Sequence, residues 1–165
     1  DVSDSIAVSF LGDSNNASDC LGGILPATCI VGSGAATNSA KIYNAFYVND
    51  AANNLLCAGS RSILPQPIAE GIENLQILYG VDKDGDSFVD SYLNATAVNA
   101  VVPNDLWLDV ISIQLAILVR SSIEVKKIPE AETFTLLDTV YSVPTADRYQ
   151  RAVFNTTISL RNSMN

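Results

Sequence analysis

The residues best placed to do chemistry in this chain are four aspartates within nine positions, Asp82, Asp84, Asp86 and Asp90. In Asp82-Lys-Asp-Gly-Asp-Ser-Phe-Val-Asp90 the carboxylates take the first, third, fifth and ninth places, and the carbonyl of Phe88 takes the seventh. That spacing matches the early positions of an EF-hand-like calcium loop, where alternate side chains converge on one ion while a glycine lets the backbone wrap. Two departures stand out. Gly85 comes early, with Ser87 at the place of the EF-hand glycine, and the twelfth position is Leu93 instead of a bidentate glutamate. Asp82, Asp84, Asp86, Phe88 and Asp90 therefore form a candidate calcium set, with calcium as the one cofactor suggested. The competing reading is a metal-free turn, because Asp and Gly are the residues tight turns select anyway. Against that, three aspartates at alternate positions repel one another, a cost that a bound cation would relieve.

Little else points to catalysis. The chain has no histidine, which removes the usual general base and the commonest metal ligand, so zinc-hydrolase and Ser-His-Asp chemistries are excluded. Glu70 and Glu73 read as two solvated charges beside a strand, since nothing near them suggests a cleft for acid–base work. Three cysteines, Cys20, Cys29 and Cys57, permit at most one intramolecular disulfide. Three reduced thiols, a Cys20–Cys29 bridge and a Cys20–Cys57 bridge are all open. A Cys20–Cys57 bridge would pin a long loop to a hairpin, whereas Cys20–Cys29 closes a shorter loop and constrains the unfolded chain less.

The elements that must carry these residues are mostly strands. Ile6, Val8 and Phe10 alternate with small residues, and the chain from Gly12 to Asn38 is loop-like. Tyr43–Val48 and Asn54–Cys57 read as a hairpin around Asn49-Asp50. Pro65 and Pro67 break the chain, and a new strand starts near Ile72 with Leu75, Ile77 and Tyr79 on one buried face. After the acidic loop comes a soft connection, in which Asn104 or Asp105 caps a short turn through Leu106-Trp-Leu and Trp107 packs in the core. Val110–Val119 is β-branched and apolar, as expected of a central buried strand. Thr133–Leu137 is another strand, Thr145–Arg151 a helical turn, and Ala152–Leu160 a last strand with one face in the core.

Composition sets the frame. With 165 residues, 48% hydrophobic and 16% charged, the chain suits one globular domain spanning 1–165. A formal charge of −9, with Lys126-Lys127 as the densest basic patch, argues against direct nucleic-acid binding. No apolar run is long enough to cross a bilayer as a helix. The abrupt start at Asp1-Val-Ser-Asp-Ser-Ile, without an initiator methionine, is expected of a cut or processed chain.

Several phrases, taken in order, resemble the PilW family of type IV pilus minor pilins, which are related to the tip pseudopilins of type II secretion. They are Ser3-Asp-Ser-Ile-Ala-Val, Asp19-Cys-Leu-Gly, Asn44-Ala-Phe-Tyr-Val leading to Leu55-Leu-Cys57, and Glu70 through Asp86. Trp107 ahead of Val110–Ser121 and the tail Arg151–Asn162 complete the set. The Glu70–Asp86 stretch is the most specific. The resemblance implies an α+β, mostly β, pilin-like head with antiparallel sheets and long loops, its N-terminal helix truncated. It implies a non-enzymatic minor subunit that helps prime or cap a pilus through contacts with other minor pilins and a tip adhesin. Motility, adhesion or DNA uptake would be the processes served. The head would be periplasmic, anchored to the inner membrane only through the absent helix, and extracellular once assembled. Family cysteines match Cys20 and Cys57, so the resemblance places the disulfide on that pair, while Cys29 departs from the pattern. A different class, a calcium-stabilised adhesion or carbohydrate-binding domain, is the alternative that the acidic loop and β-rich pattern suggest.

Overall fold

A computed structural model describes residues 2–34, 37–62, 64–100 and 106–160. Asn104 and Asp105 lie outside them. Cα packing divides the chain into two compact units, Asp4–Glu73 and Asn74–Asn165 with Asp1–Ser3.

In the first unit, β1 (Ser5–Leu11), β2 (Lys41–Asn49), β3 (Asn54–Gly59) and β4 (Gln66–Glu70) form one antiparallel sheet in chain order. The β2–β3 turn falls where its sequence predicts. Asn49 Oδ1 accepts the amides of Ala51 and Ala52, and Asn53 takes a positive φ of 51°, a region asparagine tolerates. Pro67 lies inside β4, where the prolines suggested only a break. Proline cannot donate to a ladder, and β4 tolerates it because it lies at the sheet's edge, with a register shift between Leu55 and Leu56 opposite it. The long segment between β1 and β2 has little regular structure: a Ser18–Ile24 bridge and 3-10 turns at Ala27–Cys29 and Thr37–Ala40. Leu25, Ala40 and Ile42 form its core, with Phe10, Ala17, Cys29 and Ile30 packed around them.

The second unit holds a sheet ordered β10 (Arg151–Ser159), β7 (Val110–Arg120), β5 (Ile72–Val81) and β6 (Ser91–Leu93), plus the hairpin β8 (Thr133–Leu136) and β9 (Thr139–Ser142). Ala116 and Leu118 of β7 pack with Leu136 of β8, as a central apolar strand requires.

Five expectations need correction. All ten residues of β5 are buried, not only one face. An interior strand can be covered on both sides, and its polar residues then need partners: Gln76 donates to Asn74 Oδ1 and to the carbonyl of Val2, while Ser3 exchanges hydrogen bonds with the backbone of Leu75. Glu73, expected in solvent, is buried as well. The soft connection contains a helix, α1 (Ala95–Asn99), because Asn94 caps it by accepting the amide of Ala97. Thr145–Arg151 makes no helical turn; Asp147 bridges to Glu130 instead. Finally, β10 is largely exposed on both faces, because only its first residues are covered: Arg151 is buried and Val153 packs against the Ala116, Leu118 and Leu136 core. Trp107 is half-buried, edge-on to Tyr79 at 4.7 Å, with its N–H donated to Asn99.

Candidate functional site

The acidic loop closes β5 onto β6. Val81 is fully buried and pairs with Ser91, the amide of Asp90 donates to the Val81 carbonyl, and the amide of Asp82 donates to the carbonyl of Asp109. Gly80 is required below it, since a Cβ there would lie 2.2 Å from Ser112 Oγ. Within the loop Asp82, 8% exposed, organises the backbone. Its Oδ1 accepts the amide of Gly85 at 2.7 Å and its Oδ2 that of Ser87 at 2.8 Å. Gly85 and Ser87 both have positive φ, 78° and 69°. The sixth place of the loop thus adopts the left-handed bend that an EF-hand glycine supplies, although the residue is serine.

Asp82, Asp84 and Asp86 each bring a carboxylate oxygen within 4.8 Å of the others. Asp90 does not join them: its Oδ2 accepts the amide of Lys83 at 2.7 Å and ties the end of the loop to its start. The side chain of Phe88, the residue expected to contribute a carbonyl, is 74% exposed, and its amide donates to Asp86 Oδ1. The electrostatics divide the carboxylates. Burial works against the charge of Asp82, but the amides of Ser87, Gly85, Asp86 and Asp84 outweigh it and hold this carboxyl below its ordinary range. At Asp84 the amide of Asp86 favours the charge, yet repulsion from Asp86, burial, and the charges of Asp90 and Asp82 together raise it. Three converging carboxylates, two of them exposed, could hold a hard, oxygen-seeking cation, since a carboxylate oxygen that accepts one amide keeps a further lone pair.

In the first unit the structure joins Cys20 to Cys57, with Cα atoms 6.5 Å apart, and leaves Cys29 a free, half-buried thiol. Beside the bridge lies Asp19, which the sequence reading passed over. Only 5% exposed, it accepts the amides of Leu21, Gly23 and Arg61 and the hydroxyl of Ser62. Desolvation disfavours its charge, but the amides of Gly23, Arg61 and Leu21 with Ser62 prevail and lower the carboxyl's pKa. Asn44 adds to the clamp by accepting the amide of Cys20. A Cβ at Gly59 would come within 2.2 Å of Asp19 Oδ2, so that position needs glycine. The signal was available: an aspartate next to a cysteine, with glycines at 22, 23 and 59 to let a backbone wrap a carboxylate.

Comparison with known proteins agrees with this architecture. A type IV-like pilin from Thermus thermophilus shares the fold, with a TM-score of 0.52 and 13% identity over 99% of this chain and 80% of that one. No curated protein matches the chain. The family described as type IV pilus-assembly protein W matches residues 45–162, from within the β2–β3 hairpin through the acidic loop to the end of the β10 sheet. The chain therefore belongs to the PilW family of type IV pilus-assembly proteins.

Proposed function

We propose that this chain is the head of a minor pilin that helps prime the assembly of a type IV pilus, or caps it, through contacts with other minor pilins. Family membership over residues 45–162 is the observation that carries this reading. It puts the protein's work at the pilus and cell envelope, among other pilus components. A pilin-like fold and a sequence without histidine favour a non-enzymatic subunit over a catalyst. No helix among the described residues is long and apolar enough to cross a membrane. The head would be periplasmic before assembly and extracellular afterwards. Deletion of the gene is expected to reduce surface pili and pilus-dependent motility, adhesion or DNA uptake, with recovery on complementation. Unchanged piliation and unchanged values for all three would overturn the proposal.

Calcium in the acidic loop is a proposed addition to that role, supported by the approach of Asp82, Asp84 and Asp86. Added calcium is expected to raise the melting temperature, and Asp84→Ala to abolish the increment. Asp84 suits the test because it is exposed and one of its oxygens accepts only the local amide of Asp86, so its loss should leave the fold intact. Isothermal titration with no heat at about millimolar calcium, the weak end of extracellular sites, would end the idea.

A further inference from the structure

Four strands end the two four-stranded sheets, and their sequences treat the exposed backbone edge differently. Natural sheets blunt an edge with proline, charge or shortness. β4 contains Pro67, and β6 is three residues long. β1 carries none of these devices, and β10 only the buried Arg151 at its first position. β1 runs seven residues from Ser5 to Leu11 without a charge or a proline. β10 is uncharged from Ala152 to Ser159, and its pairing with β7 is unbroken from Arg151 to Ser159. Five residues of β1 and seven of β10 are exposed, and Phe154 and Ile158 are 59% and 46% accessible. Among the described residues, no strand pairs with the outer edge of either one.

We propose that these edges are complementary, so that β1 of a second copy adds antiparallel to β10 and continues the sheet from one subunit into the next. Charge disfavours the symmetric β1–β1 alternative. Residues 4–73, which carry β1, hold six acidic and two basic side chains, whereas residues 110–161, which carry β10, hold five acidic and six basic. Pairing β1 with β1 would bring two acidic segments together; pairing β1 with β10 joins the acidic segment to the one segment of the chain that is not acidic. Side-chain order fits as well. With Val8 opposite Thr156, Ile6 meets Ile158 and Phe10 meets Phe154 on one face, while Ala7 meets Thr157 and Ser9 meets Asn155 on the other. A slip of one residue sets Phe154 opposite Ser9 in one direction and Ile158 opposite Ala7 in the other, so the apolar matching favours this register. Two different edges make a heterologous contact, which can repeat from subunit to subunit.

Sedimentation velocity of the 165-residue chain over a concentration series tests this, in a Cys29→Ser background so that oxidation of the free thiol cannot mimic association. Reversible self-association is expected. V8K and T156K should each weaken it by up to about fivefold, the upper scale of one cross-strand pair. One chain carrying both V8E and T156K should regain it, because the charges would then face each other across the contact. Circular dichroism checks that each variant folds, and both positions are exposed. A chain that stays monomeric at every concentration overturns the proposal, as does association weakened by T156K but not by V8K, which would mean β10 pairing with itself. Either failure would leave the pilus role, which deletion tests, standing.

Discussion

Replacing Cys20 and Cys57 together by alanine is expected to lower the stability of the fold by about 4 kcal/mol, the chain-entropy value for a closed loop of this length. The two cysteines are 37 residues apart, and most of what lies between them has no ladder to hold it. Among the described residues from Gly12 to Ala40 the backbone is held by an isolated bridge, 3-10 turns, scattered hydrogen bonds such as Val31 N–H to the Gly12 carbonyl, the Asp19 carboxylate and a core of Leu25, Ala40 and Ile42. Ordering such a segment costs on the order of 1–2 kcal/mol per residue in backbone entropy, so a constraint on the unfolded chain counts heavily here. Asp19 softens the loss without replacing it. Its carboxylate still ties Leu21 and Gly23 to Arg61 once the sulfurs are gone, but only while the segment is already folded. Alanine is the better substitute, since Cys57 is fully buried and a serine hydroxyl there would need a partner. Equilibrium denaturation of the wild type and the double variant gives the difference. Cys29→Ala, which opens no loop, should shift stability by less than about 1 kcal/mol. Hydrogen exchange should show the loss first in residues 13–40, with β5 and β7 still protected.

Most of the strand pattern was legible because its signals are local. Val110–Val119 is a mostly apolar run in which five of ten residues are β-branched, and β7 occupies Val110–Arg120; Asn49-Asp50 marks a turn, and β2 and β3 meet there. What could not be read depends on which strand lies beside which. Pro67 is compatible with β4 only at an edge, and the alternation in Leu75, Ile77 and Tyr79 gives no hint that Asn74 and Gln76 are buried too. In β10 the alternation was real, but the core covers only the Val153 face near the start of the strand and leaves Phe154 and Ile158 in solvent. The acidic loop divides in the same way. Spacing brought Asp82, Asp84 and Asp86 together, since i, i+2 and i+4 side chains of a wrapped loop converge, whereas the turn of Asp90 toward the Lys83 amide follows from hairpin closure. At Asp19 the local half of the clamp, Leu21 and Gly23, was legible in the nearby glycines, whereas its partners Arg61 and Ser62 are distant in sequence.

Arg151→Met is expected to cost about 3 kcal/mol, the lower end for breaking a buried ion pair, because its main partner can reach water. The β7–β10 register sets Arg151 opposite Arg120, two like charges at the end of a sheet. The fold accommodates them by giving each its own partner. Arg120 lies over the ring of Tyr149 at 4.4 Å, and Arg151, with a side chain 2% exposed, grips Asp147 with both terminal nitrogens at 2.7 and 2.6 Å. Glu132 adds its charge 3.8 Å from Arg151 while pairing with Lys126 at 2.6 Å, so the pairs link residues 126–132 to residues 147–151. Loss of the guanidinium leaves Asp147, 23% exposed, to rehydrate; Asp147→Asn acts at the buried end, leaving the cation the longer contact to Glu132 at 3.8 Å. The pair also dictates a pH response. Chiefly through the Arg151 hydrogen bonds, against burial and with help from the Tyr149 amide and the charges of Arg151 and Arg120, the Asp147 carboxyl is lowered to about 2. A carboxyl depressed in the folded state stabilises above its unfolded pKa of about 4, and that contribution is lost as pH falls through the folded value. Wild-type stability should therefore decline between about pH 4 and pH 2, and the decline should flatten in Arg151→Met, where the Asp147 carboxyl returns toward its ordinary pKa. Urea titrations across that range, combined with a double-mutant cycle on Arg151 and Asp147, measure both effects. A coupling energy near zero, or an unchanged acid limb in the variant, would show that the bidentate pair does not hold this end of the sheet.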